Sequence, residues 1–145
     1  MYRPKHFKLE ELVDPELFKA LGERCWELLD EDALQMLDCI RERFGPVVVN
    51  NWHTNGSSFT NQIYRHSGLR RMDSKIGSSR SQHKWGKAFD CKFEDYEPHQ
   101  VFNYIVDHPE DFPLITRLEN VKHTPTWLHF DTKETDGDDI YVFNP

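Results

Sequence analysis

The stretch Ser81-Gln82-His83-Lys84-Trp85-Gly86-Lys87-Ala88-Phe89-Asp90 sets an imidazole and a carboxylate seven positions apart, with a glycine between them. A second imidazole follows in Thr126-Trp127-Leu128-His129-Phe130-Asp131. Two imidazoles and one carboxylate, with a fourth position open to water, form the donor set of a catalytic zinc. His83, Asp90 and His129 are therefore the candidate metal ligands, and metal-assisted hydrolysis is the chemistry they suggest. Cys91 is adjacent to Asp90, but neighbouring side chains of an extended segment point to opposite faces. It is expected in the core.

The elements around these residues must bring them to one point. His83 precedes a glycine turn that feeds a strand over Gly86 to Phe93, with Asp90 on it. In the second strand, alternation puts Trp127, His129 and Asp131 on one face and Leu128 and Phe130 on the other. Upstream, Asp14-Pro15 reads as an N-cap and first-turn pair opening a short helix with Leu17, Phe18 and Leu21. A longer helix is expected from Asp30 or Glu31, carrying Leu34, Leu37, Ile40, Arg41 and Phe44 at helical spacing and stopped by Gly45-Pro46. Val47 to Val49 reads as a buried strand. The polar run Asn50 to Arg80 is too long for an ordinary connection and so points to function. A helix over Pro98 to His108 should turn Val101, Phe102, Ile105 and Val106 inward. Strands are expected over Leu114 to Glu119 and Thr126 to Asp131, with an edge strand over Ile140 to Phe143. Helices first and antiparallel strands afterwards indicate an α+β domain, with N-terminal helices packed on a small, mainly antiparallel sheet.

A chain of 145 residues is expected to form one domain, 1–145, with a genuine core. Eighteen basic against 25 acidic residues give a net charge of −7, which argues against a nucleic-acid partner. A local basic cluster, Arg65, His66, Arg70, Arg71, Lys75 and Arg80, is either a solvated loop or a grip for an anionic substrate group. Cys25, Cys39 and Cys91 follow no paired spacing and read as reduced thiols. The N-terminus lacks a signal-peptide apolar run, and no stretch approaches the ~18 apolar residues of a membrane span, so no membrane partner is expected. Synthesis in a reducing cytoplasm is the expectation. The acidic run Glu134 to Asp139 lacks a calcium loop's closing glutamate and reads as a solvated turn.

Ser81-x-His83-x-x-Gly86-x-Ala88-x-Asp90 followed by Trp127-x-His129-x-Asp131 resembles the D-alanyl-D-alanine carboxypeptidase and L-alanyl-D-glutamate endopeptidase family of zinc peptidases. That family shares its fold with the hedgehog signalling domain, and the likeness is to its bacteriophage and peptidoglycan-peptidase branch. Phe7 to Leu12, Arg41 to Pro46 and Ser67-Gly68-Leu69-Arg70 fall in the family's order, so the resemblance spans most of the chain. It implies Zn²⁺ on His83, Asp90 and His129, and hydrolysis of peptide bonds in peptidoglycan stem peptides or cross-bridges. It implies a phage lysin or virion-associated enzyme, made in the host cytoplasm and acting at the cell wall or carried in the virion, where other virion proteins would be partners. Many relatives carry a general-base glutamate three positions before the last histidine ligand, where this chain has Thr126. The base must then come from elsewhere: from Glu119, if a hairpin sets its strand beside His129; from Asp131, which could equally orient a ligand; or from His123. Loss of the base would instead leave a non-catalytic virion or tail component with the peptidase fold. Arg70 or Arg71 is expected to hold a substrate carboxylate or polarise the scissile carbonyl. Gln62, Ser81 and Trp127 are expected to line the substrate site, with Ser81 capping the turn.

Overall fold

Two aspartates open the first helices. In the computed structural model, which describes residues 1–57 and 59–145, Asp14 accepts hydrogen bonds from Glu16 N (2.8 Å) and Leu17 N (3.4 Å) and starts α1, Pro15–Leu21. Asp30 accepts from Ala33 N (3.0 Å) and starts α2, Glu31–Phe44. Each satisfies backbone donors that a helix N-terminus leaves without partners. The stripe anticipated in α2 is buried through Ala33, Leu34, Leu37, Ile40 and Phe44. The third helix, α3, spans Pro98–Asp107 and buries Val101 and Ile105. Val106, expected inward, is instead 42% exposed, because the inner stripe is narrower than the apolar sequence suggests.

Five strands form one sheet: β1 (Val47–Val48), β2 (Ala88–Phe93), β3 (Arg117–Glu119), β4 (Leu128–Asp131) and β5 (Tyr141–Phe143), in spatial order β1-β2-β4-β3-β5. All neighbours are antiparallel except β3 and β5, which run parallel, so the sheet is mixed rather than purely antiparallel. The fold is α+β, with α3 inserted between β2 and β3. Alternation divides the sheet as the sequence implies. Phe89, Cys91, Leu118, Leu128 and Phe130 are fully buried in the core shared with α2 and α3. Asp90, Lys92, Glu119, His129 and Asp131 occupy alternate positions and so take the opposite face.

That opposite face is covered by the long connection between β1 and β2. Among its described residues the helical turns are 3-10 ones at Trp52–Thr54 and Gln82–Trp85, and Leu69 makes an isolated parallel bridge to Val13. Two asparagines hold it in place of regular structure. Asn50 accepts from Ser67 N (2.9 Å) and donates to Val13 O (3.1 Å). Asn51 accepts from Tyr64 N (2.6 Å) and donates to Thr60 Oγ1 (3.0 Å) and Gln62 O (3.1 Å). Ser67 O accepts from Asp90 N (2.8 Å), and Leu69 N donates to Leu12 O (2.7 Å). Gly68 sits so near the Leu12 carbonyl that a Cβ would collide with it. Asp14, fully buried, lies 3.4 Å from His66 Nδ1 and 3.5 Å from Arg71 Nε, tying the loop to the start of α1.

Candidate metal centre

Ser81 caps the turn that carries His83, accepting from His83 N at 3.3 Å. Gly86 ends that turn at φ +68°, and a Cβ there would strike the Leu28 carbonyl. Both a left-handed conformation and a close approach demand glycine at this point. The chain then enters β2, where Asp90 pairs in register with His129 of β4. His83, Asp90 and His129 each offer a ligand atom, all within 4.8 Å of one another. The three residues form a group that can hold a metal ion.

The far side of each imidazole is occupied, which fixes which nitrogen faces the centre. His83 Nδ1 lies 3.0 Å from Gly68 O, leaving Nε2 3.2 Å from Asp90 Oδ1. His129 Nε2 lies 2.9 Å from Asp131 Oδ2, leaving Nδ1 2.9 Å from the same Asp90 oxygen. Outer partners of this kind orient metal-binding histidines. Asp131 is fully buried and also accepts from Arg117 Nε and Nη2, both at 2.8 Å. With both oxygens engaged, it stands behind His129 rather than at the cleft.

The charges follow from these contacts. Burial lowers the His83 pKa, favouring the neutral ring that a metal requires. Burial would lower His129 too, but hydrogen bonds to Asp131 and Asp90 outweigh it and raise its pKa to about 9. Without a metal, His129 is thus an imidazolium held between two carboxylates. Burial opposes ionisation of Asp90, yet the two imidazoles hold its carboxyl far below the ordinary range.

A cleft of about 400 Å³ opens onto the three residues, lined also by Arg70, Ser81, Arg117, Glu119, Trp127 and Phe143 among others. The β3–β4 register pairs Arg117 with Asp131 and Leu118 with Phe130, and one further step sets Glu119 across from His129. Burial raises the Glu119 pKa, against the pull of His129. Arg70 is buried at the cleft wall, its Nε donating to His66 O (2.6 Å) and its Nη2 3.6 Å from Asp90 Oδ2.

Other anticipated residues fall elsewhere. Arg71 pairs with Asp14 and does not line the cleft, because consecutive residues of the extended loop diverge. Gln62 is exposed and lines a separate hollow beside Tyr96 and Glu97. Thr126 borders hollows next to the cleft, and His123 is exposed in a turn. Cys91 lies in the core as expected, its thiol pushed up by burial, and all three cysteines are free.

Arg117 and Lys92, not among the residues expected at the site, also belong to this region. Arg117 anchors Asp131, and its alternation with Glu119 was the available signal. Lys92 is 6% exposed and donates to Val49 O (2.6 Å), Ser67 Oγ (2.8 Å) and Asp90 O (3.2 Å), with Tyr64 stacked over it at 3.9 Å. Burial lowers its pKa to about 8. Its position two residues after Asp90 put it on the same face of β2 as that carboxylate. No protein-family model, curated protein or solved structure matches the chain.

Proposed function

We propose that this protein is a zinc-dependent peptidase of the hedgehog-like type, cleaving peptide bonds in peptidoglycan stem peptides or cross-bridges. The observation that carries the reading is the convergence of His83 Nε2, Asp90 Oδ1 and His129 Nδ1 on one point, each imidazole oriented from behind. Two nitrogens and one carboxylate oxygen match the donor preference of zinc and leave a position for water. Zinc, when bound, supplies Lewis acidity toward a carbonyl and lowers the pKa of its water to about 7.

The chain's own residues supply the rest. Glu119 accepts a proton at its carboxylate and returns it to the leaving amine, the role left vacant by Thr126. Its half-buried position and raised pKa support this assignment. Asp131 and Arg117 hold the His129 ring, and the Gly68 carbonyl holds the His83 ring. Arg70 offers an Nη2 donor toward the cleft, while Trp127 supplies an apolar wall. Peptidoglycan as substrate, and a phage lysin or virion-carried enzyme as context, rest on the resemblance of the two ligand motifs.

The test joins metal content to cleavage. Purified protein should carry close to one zinc per chain, and His83→Ala should lose it. Zinc-loaded protein should release new amino termini from purified sacculi, and a chelator should stop it. If the zinc-loaded protein releases none from several peptidoglycan chemotypes, the non-catalytic virion component replaces the enzyme.

A further inference from the structure

The turn that carries His83 inverts the usual order of burial. Lys84 is 8% exposed, whereas Trp85 beside it is 56% exposed. The backbone on either side is held: Lys84 N donates to Ser81 O (3.1 Å), Lys87 N to Gln82 O (3.1 Å) and Asp30 N to Gly86 O (3.0 Å). A large apolar side chain kept in water while its lysine neighbour is buried is an informative exception to ordinary burial. Trp85 lines a hollow of about 420 Å³ together with Gln82, Lys87, Lys133 and Glu134. Gln82 and Lys133 also line the metal cleft, so the hollow continues from it. Among the described residues, Lys87, Lys133 and Glu134 enter no ion pair. The hollow therefore combines one flat apolar ring with amide, ammonium and carboxylate groups that can donate and accept hydrogen bonds.

We infer that this hollow is a saccharide-binding subsite, in which Trp85 stacks on a pyranose ring of the glycan strand while the attached peptide lies in the metal cleft. The proposal deepens the peptidase reading and rests on it. A pyranose presents a C–H face that packs on an aromatic ring, and a rim of hydroxyl and acetamido groups that need donors and acceptors. The indole supplies the first and its four polar neighbours supply the second. A stable protein partner would instead need roughly 800 Å² of surface around an apolar centre. One indole ringed by polar side chains does not provide that. Because His83 and Trp85 share one short turn, a sugar held on the indole keeps its own peptide at the cleft. Linked contacts of this kind favour peptide still joined to glycan over free peptide.

The test is a ¹H–¹⁵N titration of the chelator-treated full chain, so that binding is read independently of hydrolysis. One probe is a stem tetrapeptide on its N-acetylglucosaminyl-N-acetylmuramyl disaccharide. The other is the same tetrapeptide bearing only an N-terminal lactoyl group. The disaccharide form should bind about three- to tenfold more tightly, the scale of one aromatic contact, and it alone should shift the Trp85 indole N–H. Trp85→Ala should bring it down to the affinity of the lactoyl peptide, and Trp85→Tyr should keep at least part of the preference. Should Trp85→Ala fail to fold, an indole shift confined to the disaccharide probe in the unmodified protein supports the subsite, and shifts clustered away from Trp85 and Gln82 overturn it. Equal affinities for the two probes, binding of neither, or a preference that survives Trp85→Ala also overturn it. Failure of the zinc-loaded protein to cleave sacculi, with the disaccharide preference intact, would remove the peptidase reading alone. Cleavage without that preference would remove the subsite alone.

Discussion

Glu119 and Asp131 are two carboxylates beside His129 in the sheet, and their surroundings differ. Glu119 faces the cleft with a raised pKa, whereas Asp131 is fully buried with both oxygens taken by His129 and Arg117. Glu119→Gln should keep zinc and lose turnover by roughly 10²–10⁴-fold, the usual worth of a general base. Asp131→Asn should weaken zinc binding by roughly 10–100-fold. Metal analysis and initial rates on the same preparations check both, and parental turnover in Glu119→Gln would remove it as the base. The raised His129 pKa makes a separate statement about the chelated protein. Its folded value of about 9 exceeds the ordinary 6.5, so its stabilisation is complete below pH 6.5 and is lost as pH rises through about 9. Lys92, lowered to about 8, acts with the opposite sign above that pH. Urea unfolding of the chelated protein should therefore show stability falling between pH 6.5 and about 8, by at most ~1.4 kcal/mol per pH unit. A flat profile there would mean His129 is not held as an imidazolium.

At the scale of elements, the site depends on one tight turn and one strand register. Gly86 combines φ +68° with a close approach to the Leu28 carbonyl. Gly86→Ala should cost more than the ~1–2 kcal/mol of a left-handed L-residue, since the backbone must also shift. The urea midpoint should fall with an unchanged slope, and zinc affinity should fall with it because the turn carries His83. These elements were legible in the sequence because their signals are local. The Asp14-Pro15 and Asp30 caps, the α2 stripe and the alternation in β2 and β4 each lie within a few residues. The triad was legible for the same reason, as the glycine turn and two alternating strands already imply convergence. Lys92 was not, because its burial is decided by Ser67 and Tyr64, some 25 positions away on a loop without periodicity. Arg70 and Arg71 could not be told apart either, since only the fold decides which guanidinium meets Asp90 and which meets Asp14. The parallel pairing of β5 likewise follows from a chain return that no local pattern encodes.

For the whole molecule, the candidate metal group joins parts of the chain that are distant in sequence. His83 comes from the long connection, while Asp90 and His129 come from the two central strands. An ion held by all three would bind the folded chain alone, so free zinc at 100 times its Kd should add about 2.7 kcal/mol to unfolding. Thermal melts with and without chelator measure this, and His129→Ala should abolish the difference. The loop that supplies His83 has few regular hydrogen bonds of its own, and it is tied to the chain around the start of α1 by backbone bonds between Leu69 and both Leu12 and Asp14 as well as by one carboxylate. Asp14 closes the first turn of that helix and pairs with both His66 and Arg71. The helix start and the loop should therefore open together, as one cooperative unit in amide hydrogen exchange. Asp14→Ala should speed exchange in α1 and at residues 65–71 by the same factor, leaving β2 and β4 protected. The stiffness of the metal site would then be set in part from the far end of the chain, by a side chain that never touches the ion.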